Sequence, residues 1–415
     1  MIPLIFLLAM QVVAVKVFKK TAPNGKVTVY LGKRDFVDRL DGVCDPVDGV
    51  IVIDNDYLRD RRIYGQVMTT FRYGREEDEV MGLKFSKDMV LCKEQVVPPH
   101  HNKKQNPSDL TPIQEKLLKK LDNQNAFPFT FNLPDLAPPS VTLQHGENDA
   151  GRPLGVEYEM KAFVAENDQD PGHRRSTVSL RIRKVQHAAL TRGQKQPSVL
   201  VSKGFTFSAG KINLEVTLDR DIYYHGEEMA ANVHISNTSK KSVRNIKVMV
   251  VQHCEVTMVN AHFTKTVAHL ETREGCPITP GASLTKSFHL RPCASNNKDK
   301  RGIALDGHLK DEDVNLASTT MVPGNPNDAL GFVVSYSLRV KLNLGTLGGE
   351  LQADLPFKLV HPGPDAEDIK EISFKGSKDR ATYQKQCYAK DADEEENIVF
   401  EDFAKLRMSM SEIDN

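Results

Sequence analysis

Phe332-Val333-Val334-Ser335-Tyr336-Ser337-Leu338-Arg339-Val340-Lys341 alternates with a period of two: Phe332, Val334, Tyr336, Leu338 and Val340 are apolar, and mostly polar residues fill the gaps. A β-strand sends successive side chains to opposite faces, so this pattern puts one apolar face against a core and leaves the other wet. The same period recurs on either side. Val27, Val29 and Leu31 interleave with Thr28, Tyr30 and Gly32, and Val178, Leu180 and Ile182 with Ser179, Arg181 and Arg183. Ile212, Leu214, Val216 and Leu218 interleave with Asn213, Glu215, Thr217 and Asp219. Half-buried strands separated by turn signals predict antiparallel sandwiches. Helical spacing is convincing only at Leu110 to Leu121, where Ile113, Leu117 and Leu121 follow one face and Lys116, Lys119 and Lys120 lie mostly outside it. The expected fold class is mainly β, with one short amphipathic helix.

A chain of 415 residues has room for two or three domains. Lys plus Arg and Asp plus Glu both number 55, and this balance disfavours nucleic acid as a partner. The charge is unevenly placed, however. Lys16, Lys19, Lys20, Lys26, Lys33 and Arg34 make the start basic, while Asp391, Asp393, Glu394, Glu395 and Glu396 make the tail acidic. Opposite charges at two ends leave independent solvation and mutual docking both open. Six cysteines (Cys44, Cys92, Cys254, Cys276, Cys293 and Cys387) show no close paired spacing, which fits a reducing compartment. Met1 to Val15 is apolar like a signal segment, but lacks a basic start and is too short to span a bilayer; Met10 is an alternative start. After His361-Pro362-Gly363-Pro364 alternation stops, and Asp365 to Glu396 reads as a flexible linker ending in Ile398, Val399, Phe400 and Phe403, a candidate docking peptide.

Chemistry-bearing motifs are missing. The chain has no glycine-rich phosphate loop, no H-E-x-x-H, no nucleophile elbow and no Cys/His ligand set, so neither an enzyme nor a cofactor is expected. His100-His101, His253-Cys254 and the Glu76-Glu77-Asp78-Glu79 run read as structural or solvated groups. Asp35, after Lys33-Arg34, and the charged loop Leu305 to Asp313 carry information only if the fold brings them together.

An ordered series of segments resembles the arrestin family. It runs through Val17-Phe18-Lys19-Lys20, Leu31-Gly32-Lys33-Arg34-Asp35-Phe36, Asp45-Pro46-Val47-Asp48-Gly49 and Phe71-Arg72-Tyr73-Gly74-Arg75-Glu76. It continues through Pro128-Phe129-Thr130-Phe131, Ile222-Tyr223-Tyr224-His225-Gly226-Glu227, Ala304-Leu305-Asp306-Gly307 and Asn397-Ile398-Val399-Phe400-Glu401-Asp402-Phe403-Ala404. The likeness covers roughly Val15 to Arg407, and in detail it is greatest to invertebrate visual and sensory arrestins. It implies two antiparallel, immunoglobulin-like β-sandwich domains: 1–14 as an extension, 15–192 as N-domain, 193–362 as C-domain, and 363–415 as a tail with a docking strand. Thr191 to Ser198 would be the hinge.

The resemblance also implies residue roles. Asp35, Asp306 and Asp313 would form a buried ionic cluster between the domains. Its cationic positions fall here on Ser179 and Lys405, where the family's better-known form has arginines, and Arg181 or Arg183 could supply the charge instead. Lys19 and Lys20 would lead receptor phosphate to the cluster, with Lys16, Arg34, Lys120 and Lys310 as further contacts. Glu76, Glu77, Asp78, Val80, Met81, Gly82 and Leu83 would belong to the receptor-inserting finger loop. Ile398, Val399 and Phe400 would dock on the first strand and on Leu117 and Leu121, and Phe400, Phe403 and Arg407 would serve a clathrin adaptor.

The implied function is binding of an activated, usually phosphorylated G-protein-coupled receptor, a rhodopsin or other sensory receptor, by a cytoplasmic protein recruited to the plasma or photoreceptor membrane. An endocytic adaptor or scaffold is the alternative. Lys240, Lys241, Arg244 and Lys247 are candidates for inositol phosphates or phosphoinositides, against a plain solvated strand edge. A secreted adhesion sandwich, resting on Met1 to Ala9 and the Asn237-Thr238-Ser239 triplet, is a third reading.

Overall fold

The computed structural model describes residues 15–39, 44–73, 85–99, 110–121, 125–146, 149, 152–187, 195–206, 208–307, 314–321, 329–345, 348–361 and 398–402. The first part runs β1 (Val15–Thr21), β2 (Val27–Leu31), β3 (Asp35–Arg39), β4 (Val47–Ile53), the single turn α1 (Asn55–Leu58), β5 (Arg62–Tyr73) and β6 (Phe85–Val97). Helix α2 (Pro112–Leu121) precedes β7 (Ala126–Phe131), β8 (Val141–Leu143), β9 (Gly155–Ala165) and β10 (Thr177–His187). Next come β11 (Ser198–Phe205), β12 (Ser208–Leu218), β13 (Ile222–Tyr224), β14 (Met229–Asn237), β15 (Asn245–Val256), β16 (Ala261–Thr272) and β17 (Ser283–Leu290). The last are β18 (Ala304–Asp306), β19 (Phe332–Asn343), β20 (Glu350–Val360) and β21 (Ile398–Asp402).

The strands form four sheets. One has the order β21-β1-β2-β4-β7, and a second carries β18-β8-β9-β10-β3 with β5 and β6 joined through β9. Val29, Ile51, Val67, Met160 and Leu180 belong to their core. The other two, β11-β12-β14-β17 and β13-β20-β19-β15-β16, contribute Leu214, Val233, Val248, Leu338 and Leu355. The alternation read from the sequence is the burial pattern: Phe332, Val334, Tyr336, Leu338 and Val340 are all buried on β19, as are Ile212, Leu214, Val216 and Leu218 on β12.

Helix α2 begins at Pro112 rather than at Leu110. Thr111 and Gln114 cap it reciprocally, the Thr111 N–H donating to Gln114 Oε1 (3.0 Å) and the Gln114 N–H to Thr111 Oγ1 (3.4 Å), and proline suits the first helical position. The helix is pinned to the first sheet. Buried Gln114 Nε2 donates to Phe129 O at 2.7 Å, Thr111 Oγ1 donates to Asp48 Oδ2 at 2.5 Å, and Leu117 is fully buried with Val17, Tyr30 and Val50. Close approach needs Gly32, because a Cβ there would lie 2.6 Å from Ile113 Cγ1.

One short strand crosses between the halves of the chain. β18 pairs antiparallel with β8, Ala304 opposite Leu143 and Asp306 opposite Val141, so a late segment completes an early sheet. Arg301 Nε reinforces it by donating to Asp149 Oδ2 at 2.7 Å. β8 can lie against β9 because Gly155 has φ +148, and a Cβ there would lie 2.0 Å from the Val141 carbonyl oxygen.

Candidate functional site

Parallel pairing of β10 with β3 places Arg183 opposite Asp35. Arg183 Nε and Nη2 donate to the two Asp35 oxygens at 2.7 and 2.5 Å, and Nη1 reaches Gly307 O at 3.1 Å. Planar guanidinium and planar carboxylate match in this two-pronged geometry, which fixes orientation as well as charge. Because Gly307 follows β18, the same guanidinium touches both an early edge strand and the crossing segment. Ser179, Arg181 and Arg183 share one face of β10, but register selects Arg183; Arg181 is exposed. Beneath them, buried Lys184 pairs with Asp38 Oδ2 at 2.7 Å and donates to Ala137 O.

Asp306 is buried and has a different set of partners. Its Oδ1 accepts from the Ser318 N–H at 3.1 Å, and its Oδ2 accepts from His361 Nε2 and lies 3.9 Å from His225 Nε2. The His361 ring stacks on His187, centroids 5.6 Å apart, and meets His225 edge-on at 4.6 Å. Burial, with His361 adding to it and Asp306 opposing, drives His225 down to about 3. His187 falls to about 4 for the same leading reason. Burial pushes the Asp306 carboxyl up, but His361, His225 and the Ser318 N–H outweigh it and leave the group below its ordinary range. Of the cluster expected of Asp35, Asp306 and Asp313, the first two lie in the described residues and have different partners. Asp35, with a side chain 45% exposed, is held by arginine, whereas Asp306 is held by imidazoles.

The tail strand β21 lies parallel to β1, with Ile398 opposite Val15, Val399 opposite Lys16 and Phe400 opposite Val17. Leu117, together with the half-buried Leu121, packs in the apolar cluster that contains Val17, the residue whose backbone stands opposite Phe400. On β1, Lys19 lies 6.0 Å from the centre of the Tyr30 ring and Lys20 donates to the Ser179 carbonyl. Ser179 itself lines a groove of about 540 Å³ whose walls include Lys93, Lys161 and Arg174. Arg34 lies over Phe18 at 5.6 Å, and Lys120 is exposed on α2. Lys310, Asp313, Lys405, Phe403, Arg407 and the segment Glu76, Glu77, Asp78, Val80, Met81, Gly82 and Leu83 lie outside the described residues.

The sequence reading missed His187, His225 and His361. In the sequence the Tyr-Tyr-His-Gly segment is a family signature and the His-Pro-Gly-Pro segment a boundary, because a lone histidine carries no spacing signal. Two observations bear on the secreted reading. Asn237 is buried and its amide donates to Lys241 O (2.6 Å) and Ile278 O (3.0 Å), so it offers no free acceptor for glycan. Among the described residues Cys44, Cys92, Cys254, Cys276 and Cys293 are free thiols. No described helix is long and apolar enough to cross a membrane.

Comparison with known proteins gives the same picture over nearly the full length. Residues 27–188 match the arrestin (or S-antigen) N-terminal domain, and residues 208–364 match the C-terminal domain. An arrestin homolog of Locusta migratoria is 64% identical over 99% of this chain and 100% of its own length. Phosrestin-1 of Drosophila melanogaster is 60% identical over 96% of this chain and 98% of its own, and the lateral-eye arrestin of Limulus polyphemus is 55% identical over 98% of each. Identity at this level across both sandwiches and the crossing strand leaves one assignment: the chain belongs to the arrestin family of non-enzymatic adaptors.

Proposed function

We infer that this chain binds an activated G-protein-coupled receptor of the rhodopsin class and stops its signalling by covering the G-protein site, acting from the cytoplasm at the photoreceptor membrane. The observation that carries the reading is the pairing of β21 with β1 beside Lys19 and Lys20. A tail strand held next to a basic strand is a displaceable element, and a receptor phosphate, bringing about −1.5 to −2 charges, competes for the same cations. Lys16, Lys19, Lys20, Arg34, Lys120 and Lys310 are the proposed phosphate contacts. Asp35, Ser179, Asp306, Asp313 and Lys405 are the proposed seam, with Arg183 supplying the charge that Ser179 lacks. The finger loop of Gly74 to Leu83 is the proposed insertion element.

Because Ser179 stands where an arginine would sense phosphate, we expect the activated receptor's shape to matter more than its phosphorylation. Co-sedimentation with dark, light-activated and light-activated phosphorylated rhodopsin tests both parts. Equal binding to dark and activated receptor would defeat the function, and a tens-fold preference for phosphate would defeat the precedence of shape over phosphorylation.

A second output has an observation in its favour. The backbone of Phe400 is paired opposite Val17 of β1, so an adaptor that takes the proposed motif Phe400, Phe403 and Arg407 competes with that pairing. Deleting residues from Asn397 onward should abolish receptor uptake while preserving or strengthening blockade. Lys240, Lys241, Arg244 and Lys247 are a proposed inositol-phosphate contact, to be tested by charge reversal and vesicle binding.

A further inference from the structure

We propose that His225, Asp306 and His361 form a binding site for a divalent transition-metal ion of the zinc class, at the seam between the two sandwiches. The candidate ligand atoms, one from each side chain, all lie within 4.8 Å of one another. They come from three separate segments: His225 follows β13, Asp306 ends β18 and His361 follows β20. β18 belongs to an early sheet, while β13 and β20 pair with each other in a late one. An ion here would therefore clamp the crossing strand to the second sandwich.

The donor set fits the ion. Two imidazole nitrogens with one carboxylate oxygen is a combination zinc takes readily, leaving a fourth position open, whereas calcium and magnesium demand oxygen. Metal–ligand bonds of about 2.0–2.2 Å place tetrahedral neighbours roughly 3.3 Å apart. His225 Nε2 lies 3.9 Å from Asp306 Oδ2, while His361 Nε2 is hydrogen-bonded directly to that oxygen, so an ion enters by opening the His361–Asp306 contact and drawing His225 inward. His225 Nε2 is paired with the Ser318 hydroxyl at 3.0 Å and would exchange that contact for the ion.

The test uses the full chain, stripped with chelator and titrated with zinc chloride in a calorimeter. One saturable equivalent is expected, weakened by about 10–100-fold or more in His361→Gln and in His225→Gln. His253→Gln, which alters a histidine of a stacked pair elsewhere, should leave it unchanged. Zinc should also raise the melting temperature of the wild-type chain and not that of His361→Gln. Should either variant fail to fold, X-ray absorption at the zinc edge of the loaded wild-type chain decides. Two imidazoles with oxygen neighbours support the site; sulfur neighbours, which would mean cysteine ligation, overturn it. Absence of a saturable equivalent, or one untouched by His361→Gln, overturns it equally. None of these outcomes depends on receptor binding, so failure here and failure of the proposed function are separable.

Discussion

Arg183 grips both carboxylate oxygens of Asp35, a residue 148 positions earlier in the chain, and with its remaining nitrogen touches the Gly307 carbonyl. Three distant segments thus share one guanidinium. Asp35 is 45% exposed, so the pair lies between a surface bridge and a buried one. A double-mutant cycle with Arg183→Gln and Asp35→Asn should give a coupling of about 1–2 kcal/mol, read from urea midpoints. A coupling below about 0.3 kcal/mol would show that the fork does not stabilise the resting form.

Ser179→Arg tests the sensor position directly. The side chain at 179 faces a groove lined by Lys93, Lys161 and Arg174, and Lys20 reaches the Ser179 carbonyl. Adding a guanidinium there should raise the preference for phosphorylated over unphosphorylated active receptor by roughly tenfold, the worth of one charge-assisted hydrogen bond of about 1.5 kcal/mol. An unchanged ratio would mean that residue 179 plays no part in reading phosphate.

Leu117→Ala should lower stability by about 2–4 kcal/mol, because its side chain is fully buried among Val17, Tyr30 and Val50 and truncation leaves a cavity there. Leu118→Ala, at a half-buried position on the same helix, should cost less than half as much. Hydrogen exchange along β1 should rise in the first variant, since that strand loses its apolar backing. Equal costs for the two substitutions would contradict the packing described.

Cys254 should resist alkylation until the protein unfolds. Burial pushes its thiol up to about 12, and at pH 8 a thiol with that pKa is thiolate only about one part in 10,000, against roughly a quarter for an ordinary cysteine. Cys44, raised to about 11 by burial, should be the next slowest. Iodoacetamide labelling resolved by peptide mass spectrometry checks the order. Labelling of Cys254 as fast as Cys293 in the folded chain would refute it.

Gly155→Ala should disrupt the crossing strand. The new Cβ would meet the Val141 carbonyl at 2.0 Å in a backbone region that side chains rarely occupy. Strain of about 1–3 kcal/mol, plus loss of β8 pairing, should appear as a lower melting temperature and faster proteolysis near Arg301. A wild-type melting temperature would show that β8 can shift without cost.

The strands were legible because a half-buried strand writes its two faces into alternate residues, as Phe332 to Lys341 and Ile212 to Leu218 do. The helix was legible too, although its start was placed at Leu110; the capping pair Thr111 and Gln114, with Pro112 between them, held the better answer. The seam was only partly readable. Asp35 and Asp306 were suspected from resemblance, yet the choice of Arg183 over Arg181 follows from strand register, which alternation along a single strand cannot supply. The histidines were missed for a related reason. His187, His225 and His361 are far apart in the chain, and each by itself looks ordinary.

The amino-acid order by itself determined the strand faces, the single amphipathic helix and the family likeness, because these are local or linear properties of the chain. Only the tertiary structure decided that β18 joins an early sheet, that Arg183 meets Asp35, and that Asp306 faces imidazoles. Those outcomes depend on pairing register and on which segments are driven together when both cores bury their apolar faces, and such long-range closure leaves no periodic trace in a sequence.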